Sequence, residues 1–266
     1  MLLVVLGFLW VYANPYEPFA DQLFVWEFAS MLAGTPAPDA DMQSLADYFE
    51  CYPQQRRMAL AFSLLFRLFH TNSLNVIWTL NVACLACLLV SLCALAWRLT
   101  QQPRVAVLCA CATTLFAPLV LYASFCYTTL ISTALCFVSF YGLVAYLQDQ
   151  RLRYLAALAL LPFANLLYTG AIIATVTTCL VLIIHLFEKR REGRFAYPIL
   201  AALALLPFTF WALTAASGHA INSLYKPATS DGMPASAYLA MGLTSESPTA
   251  ACGAGSYDGQ NYALRA

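Results

Sequence analysis

The segment Asn14-Pro-Tyr-Glu-Pro-Phe-Ala-Asp21-Gln22 sets a carboxylate just after the first apolar run of a chain that is mostly apolar throughout. A carboxylate at the mouth of a membrane-embedded bundle loses solvation unless something uses it, so Asp21 is the leading candidate for a functional side chain. Its bland alternative is a helix N-cap, a position Asp favours. Phe24 stands where a capping box would place Glu or Gln, so no box supports that alternative. Arg56-Arg57 offers two guanidinium forks, suited to a lipid phosphate or simply to anchoring a helix among headgroups. Asp39 and Asp41 read as loop and capping residues, and Arg67 and His70 as solvated or snorkelling side chains.

The elements that must position these groups follow from composition. The chain is 62% hydrophobic and 10% charged, with a mean hydropathy of +0.71. That is the composition of an all-α polytopic membrane protein. A formal net charge of zero argues against nucleic acid as a partner. Eight of the ten cysteines lie in apolar runs, where Cys acts as a small hydrophobe. Cys84-x-x-Cys87 has no second pair and no His nearby, which leaves little for zinc or redox chemistry. Cys51 and Cys252 fall in outer loops, where a disulfide between them is left open.

Hydropathy predicts about seven spans, at 1–13, 73–97, 105–123, 127–147, 153–170, 171–187 and 196–216, with the pair between Tyr154 and Phe187 weakly separated. The first run has no basic flank and no cleavage site, so it reads as a short or clipped span rather than a signal peptide. Segment 52–70 decides the orientation. If it lies on the surface as an amphipathic helix, the loops at 98–104, 148–153 and 188–195 are all cytoplasmic and hold most of the Arg and Lys. The N-terminus is then cytoplasmic. Loop 14–72 is extracytoplasmic and carries Glu17, Asp21, Glu27, Asp39, Asp41, Asp47 and Glu50. Within it, apolar spacing predicts a helix over 21–33 ended by Gly34, a second over 41–51, and a third over 54–70. The chain divides into a bundle with this loop, 1–216, and an outer loop or tail, 217–266.

Asp21-Gln22 opening an outer helix, then Tyr48-Phe-Glu-Cys-Tyr-Pro-Gln-Gln55 entering an interfacial helix that ends Leu-Phe-Arg-Leu-Phe-His70, resembles the GT-C superfamily. The likeness is greatest to membrane glycosyltransferases of the family 39 type, such as protein O-mannosyltransferases and aminoarabinose transferase. Gly232-Met-Pro-Ala-Ser-Ala-Tyr-Leu-Ala-Met-Gly-Leu243 and Gly255-Ser-Tyr-Asp-Gly-Gln-Asn-Tyr262 are similar to a later outer loop of that group.

The resemblance implies a GT-C-like bundle in the cell membrane that moves a sugar from a polyprenyl-phosphate donor to an extracytoplasmic acceptor. The acceptor would be a cell-envelope glycan, lipid or protein. Asp21 would be the general base. Arg56, Arg57 and Lys226 would stabilise the departing phosphate, and Tyr52, Tyr257, Asp258 and Asn261 are carried as substrate-binding candidates. The tail residues equally suit an ordinary surface loop. Gln22 stands where a second acidic residue often follows the first, which counts against a paired carboxylate. No cofactor is fixed, and a divalent metal is left open. Family members continue with further spans, so this sequence is expected to be a truncated one. The alternatives are a polytopic transporter or lipid flippase, or a non-catalytic truncated subunit.

Overall fold

In the computed structural model the structure describes residues 2–35, 45, 48–49, 52–193 and 197–224, and among them every regular element is helical. The helices are α1 (Leu2–Ala13), α2 (Asp21–Ala33), α3 (Gln55–Phe69), α4 (Leu74–Thr100), α5 (Pro103–Leu115), α6 (Ala117–Tyr122), α7 (Thr129–Asp149), α8 (Leu160–Leu167), α9 (Ile172–Arg191) and α10 (Tyr197–Leu224). Four stretches are long and apolar enough to cross a membrane: α4, α7, Thr169–Arg191 and Tyr197–Ile221. A bilayer core needs about 20 residues of helix.

Helix forms at each of the seven places hydropathy marks, but three of these segments are too short to cross as single helices. The segment over 105–123 breaks at Phe116, because Pro118 has no N–H for the i−4 carbonyl and its ring crowds that turn. The segment over 153–170 is a 3-10 turn, Leu152–Ala159, followed by α8, and Pro162 sits in the first turn of that helix. Tyr168 then adopts an extended backbone and separates α8 from α9. The last helix runs past Ala216 to Leu224. Helix 41–51 falls mostly outside the described residues, as do Cys51, Cys252, Asp39, Asp41 and the tail beyond Leu224.

Helix forms over Asp21–Ala33 and Gln55–Phe69, where apolar spacing places the first and third helices of segment 14–72. Gly34, at φ +80°, ends α2 in a Schellman arrangement, with Gly34 N–H donating to Met31 O and Thr35 N–H to Ser30 O. The two helices pack through Val25, Phe28 and Leu32 on one side and Phe62 and Phe66 on the other, all buried. Each such aromatic removed from water contributes about 1.5–3 kcal/mol. Phe49 closes the layer, its ring 4.5 Å from that of Phe28. Arg67 does not simply reach into solvent: its guanidinium donates to Leu32 O at the carbonyl end of α2, where a cation is favoured.

The bundle is held by close approach and by side chain to backbone bonds. α4 packs along α7. Gly142 of α7 allows the 3-10 turn to come so near that an added Cβ would lie 2.5 Å from Ala157 Cβ. Ser139 and Ser132 of α7 donate to Ala157 O and Ala164 O. Asn165 and His185, polar residues in apolar stretches, both have side-chain partners. Asn165 Nδ2 donates to Thr175 Oγ1 at 2.6 Å, and His185 meets Gln150 and Glu188.

Candidate functional site

Asp21 is the first residue of α2 rather than its N-cap. Ala20 takes the cap position and gives no side-chain bond to the helix. Ala20 has φ +49° and ψ −129°, a conformation strained for any residue with a Cβ. Such strain persists only where neighbours over-determine the backbone, commonly beside a site. The neighbours here are identifiable. Gln22 is 5% exposed, and its Oε1 accepts the buried N–H of Cys126 at 2.8 Å. Its Nε2 reaches Tyr16 Oη at 3.5 Å. The start of α2 is thereby tied to segment 123–128.

That segment is itself gripped from the bundle. Trp78 Nε1 donates to Ser124 O, and Asn81 Nδ2 to both Ala123 O and Phe125 O. Thr128 Oγ1 donates to Leu167 O. Each bond satisfies a backbone carbonyl that regular structure leaves open. Segment 123–128 is therefore a fixed wall, and Tyr127 is carried on it.

Between the wall and α2 lies a cleft of about 350 Å³, lined by Phe19, Ala20, Asp21, Gln22, Phe24, Tyr48, Tyr52 and Tyr127. Asp21 is half-buried there, and burial raises its carboxyl above the ordinary Asp range. The Tyr48 hydroxyl partly opposes that shift by favouring the carboxylate, although it makes no hydrogen bond of normal geometry among the described residues. Burial, and next the charge of Asp21, hold the Tyr48 and Tyr127 hydroxyls protonated far above the usual Tyr value. Chemically, this is a carboxylate facing neutral phenol donors within aromatic walls, with Phe24 and Tyr48 stacked at 4.6 Å between centroids. Such a group can accept a proton from a hydroxyl brought into the cleft.

The structure brings Tyr52 to the same cleft and leaves Arg56 and Arg57 off its lining. Arg56 donates to Phe49 O at 2.7 Å and so braces the loop. Arg57 is half-buried, and burial lowers its pKa. Lys226, Tyr257, Asp258 and Asn261 lie outside the described residues. Among the described residues no group of three or more His, Cys, Asp or Glu could hold a metal. Sequence reasoning missed Tyr48 and Tyr127. Tyr48 stands four residues before Tyr52, one helical turn, and that spacing could have exposed it. Tyr127 carried no signal, since it begins a stretch that reads as membrane span.

No family model, no curated protein and no solved structure matches this chain.

Proposed function

We propose that this chain is a membrane glycosyltransferase of GT-C type, using a polyprenyl-phosphate sugar at the extracytoplasmic face of the cell membrane. Asp21 acts as general base on the acceptor hydroxyl, and direct displacement inverts the anomeric centre. In this reading α2 and α3 lie at the membrane surface, and the broken segments complete a bundle of about seven passes.

The observation that carries the proposal is the placement of Asp21. It is free of the capping role that would explain it structurally, it is half-buried, and it faces a cleft walled by aromatic rings and phenols. Rings of this kind stack on the apolar faces of sugars, and phenol hydroxyls suit their oxygens. Of the pair Arg56 and Arg57, Arg57 is the cation we assign to the departing lipid phosphate, since Arg56 is engaged with Phe49 O. Lys226 keeps the same assignment from the resemblance.

A transporter is the second reading. It is favoured by the extended break at Tyr168 and by Asn165, whose Oδ1 is buried without a hydrogen bond beside that break. The two readings part on one experiment. Membranes containing the chain are given radiolabelled polyprenyl-phosphate hexoses, and lipid-free labelled product is followed for wild type, Asp21→Asn and Asn165→Ala. A transferase loses product with Asp21→Asn and keeps most of it with Asn165→Ala. Product that survives Asp21→Asn, or fails only with Asn165→Ala, overturns the proposal.

A further inference from the structure

A second cleft is lined by Tyr16, whose hydroxyl meets Gln22 of the Asp21 cleft. It has a volume of about 680 Å³ and is lined by Trp10, Ala13, Asn14, Pro15, Tyr16, Leu121, Ser124 and Phe125. That volume lies within the usual range of small-ligand pockets, roughly 300–1,000 Å³. Its rings are pre-set. Trp10 Nε1 donates to Ser124 Oγ at 3.3 Å, which fixes the indole. Tyr16 packs on Phe125 at 5.4 Å and on Phe19 at 5.7 Å between centroids. The polar groups are all neutral. Asn14 Nδ2 donates to Trp10 O, and the Asn14 amide oxygen accepts nothing among the described residues. The Tyr16 hydroxyl accepts from Gln22 and retains its own proton to give.

We propose that this cleft binds a neutral sugar unit, and that the acceptor of the transfer is therefore itself a glycan. Half-buried rings offer faces for the C–H side of a pyranose, while the amide and phenol at the rim meet its hydroxyls. No charged residue lines the cleft, so a phosphate or carboxylate ligand would find no counter-charge. The site also adjoins the base. Tyr16 lines this cleft, Gln22 lines the Asp21 cleft, and the two side chains touch. A glycan seated on Tyr16 can extend its next hydroxyl towards Asp21. Sugar binding stands on this geometry alone, whereas the acceptor role rests on the transfer reading above.

The test uses the full chain in nanodiscs and reports through Trp10. Intrinsic fluorescence is titrated with the methyl glycosides of glucose, galactose, mannose and N-acetylglucosamine, and with glucuronic acid as an anionic control. At least one neutral glycoside is expected to give a saturable change that disappears with Trp10→Phe. Affinity should fall about tenfold, equivalent to about 1.4 kcal/mol, with Tyr16→Ala and also with Asn14→Ala. Asn14 is exposed, so its variant folds even if the Tyr16 variant does not. Asp21→Asn should leave binding unchanged, which separates this site from the fate of the transfer proposal. No saturable response to any neutral glycoside, an equal response to glucuronic acid, or affinity unaltered in the folded Asn14→Ala protein would overturn the site. Binding glycosides should also become labelled when offered with the lipid-linked donor. If they bind and remain unlabelled while other acceptors are glycosylated, the acceptor role falls and the sugar site stands.

Discussion

Gln22 ties the start of α2 to the wall that carries Tyr127, so its loss should be felt both in stability and at the cleft. Gln22→Leu keeps roughly the same bulk and removes the acceptor for Cys126 N–H. Gln22 is 5% exposed and Cys126 1%, so water has little access to replace the 2.8 Å bond. Leaving a buried donor unpaired costs about 1–3 kcal/mol. The contact from Gln22 to Tyr16 at 3.5 Å is at the limit of a hydrogen bond and adds little. The expected loss is therefore about 1–3 kcal/mol, measured by reversible denaturation in mixed micelles with circular dichroism as the signal. Gln22→Glu keeps an acceptor but sets a second carboxylate in a buried position beside Asp21. Its penalty should grow as pH rises and the new acid ionises, and shrink as pH falls. A Gln22→Leu protein within about 0.5 kcal/mol of wild type would refute the tie, since that is the range of ordinary surface substitutions.

Three further outcomes follow from named contacts. Gly142→Ala would place a Cβ 2.8 Å from Tyr154 O, a backbone atom, and 2.5 Å from Ala157 Cβ. A loss of about 1–3 kcal/mol is expected in the same denaturation assay, and an unchanged midpoint would show that the 3-10 turn does not press on α7. At Ala20 the positive φ predicts that Ala20→Gly is tolerated and that Ala20→Val is destabilised by about 1–3 kcal/mol. The reverse order of midpoints would remove the strain argument. For pH, Asp21 has a folded pKa raised by burial. The folded chain thus takes up its proton at a higher pH than the unfolded one. Acidification through that window stabilises the fold through this group, and at the same time removes the base. The acid limb of the rate profile should therefore lie above the ordinary Asp value of about 3.9, and should vanish from any residual activity of Asp21→Asn.

Local signals in the sequence located the first loop well. The apolar spacing over 21–33, the Gly34 stop and the amphipathic run into His70 are each settled within a turn or two of chain, and α2 and α3 end where those signals place them. The membrane segments were legible as apolar runs but not as single helices. Pro118 and the extended Tyr168 break the ladder in segments whose hydropathy is continuous, and hydropathy is blind to a missing N–H or a local turn of the backbone. Asp21 stood out because its cost is local. Tyr127 did not, because its part in the cleft depends on Asn81, Trp78 and Gln22 gripping a turn from far along the chain. Arg67 is exposed, as the sequence suggests, but its bond to Leu32 O was not legible for the same reason, since the two residues lie 35 apart.

We propose Asp21 as the base of a glycosyl transfer. The most direct measurement is single-turnover transfer from a polyprenyl-phosphate hexose by purified wild type and Asp21→Asn, with the folded state of each checked by circular dichroism. General-base catalysis by a positioned side chain is worth about 10²–10⁴ in rate. The expected result is a folded Asp21→Asn protein slowed by at least about a hundredfold. A folded Asp21→Asn protein transferring at the wild-type rate would contradict it.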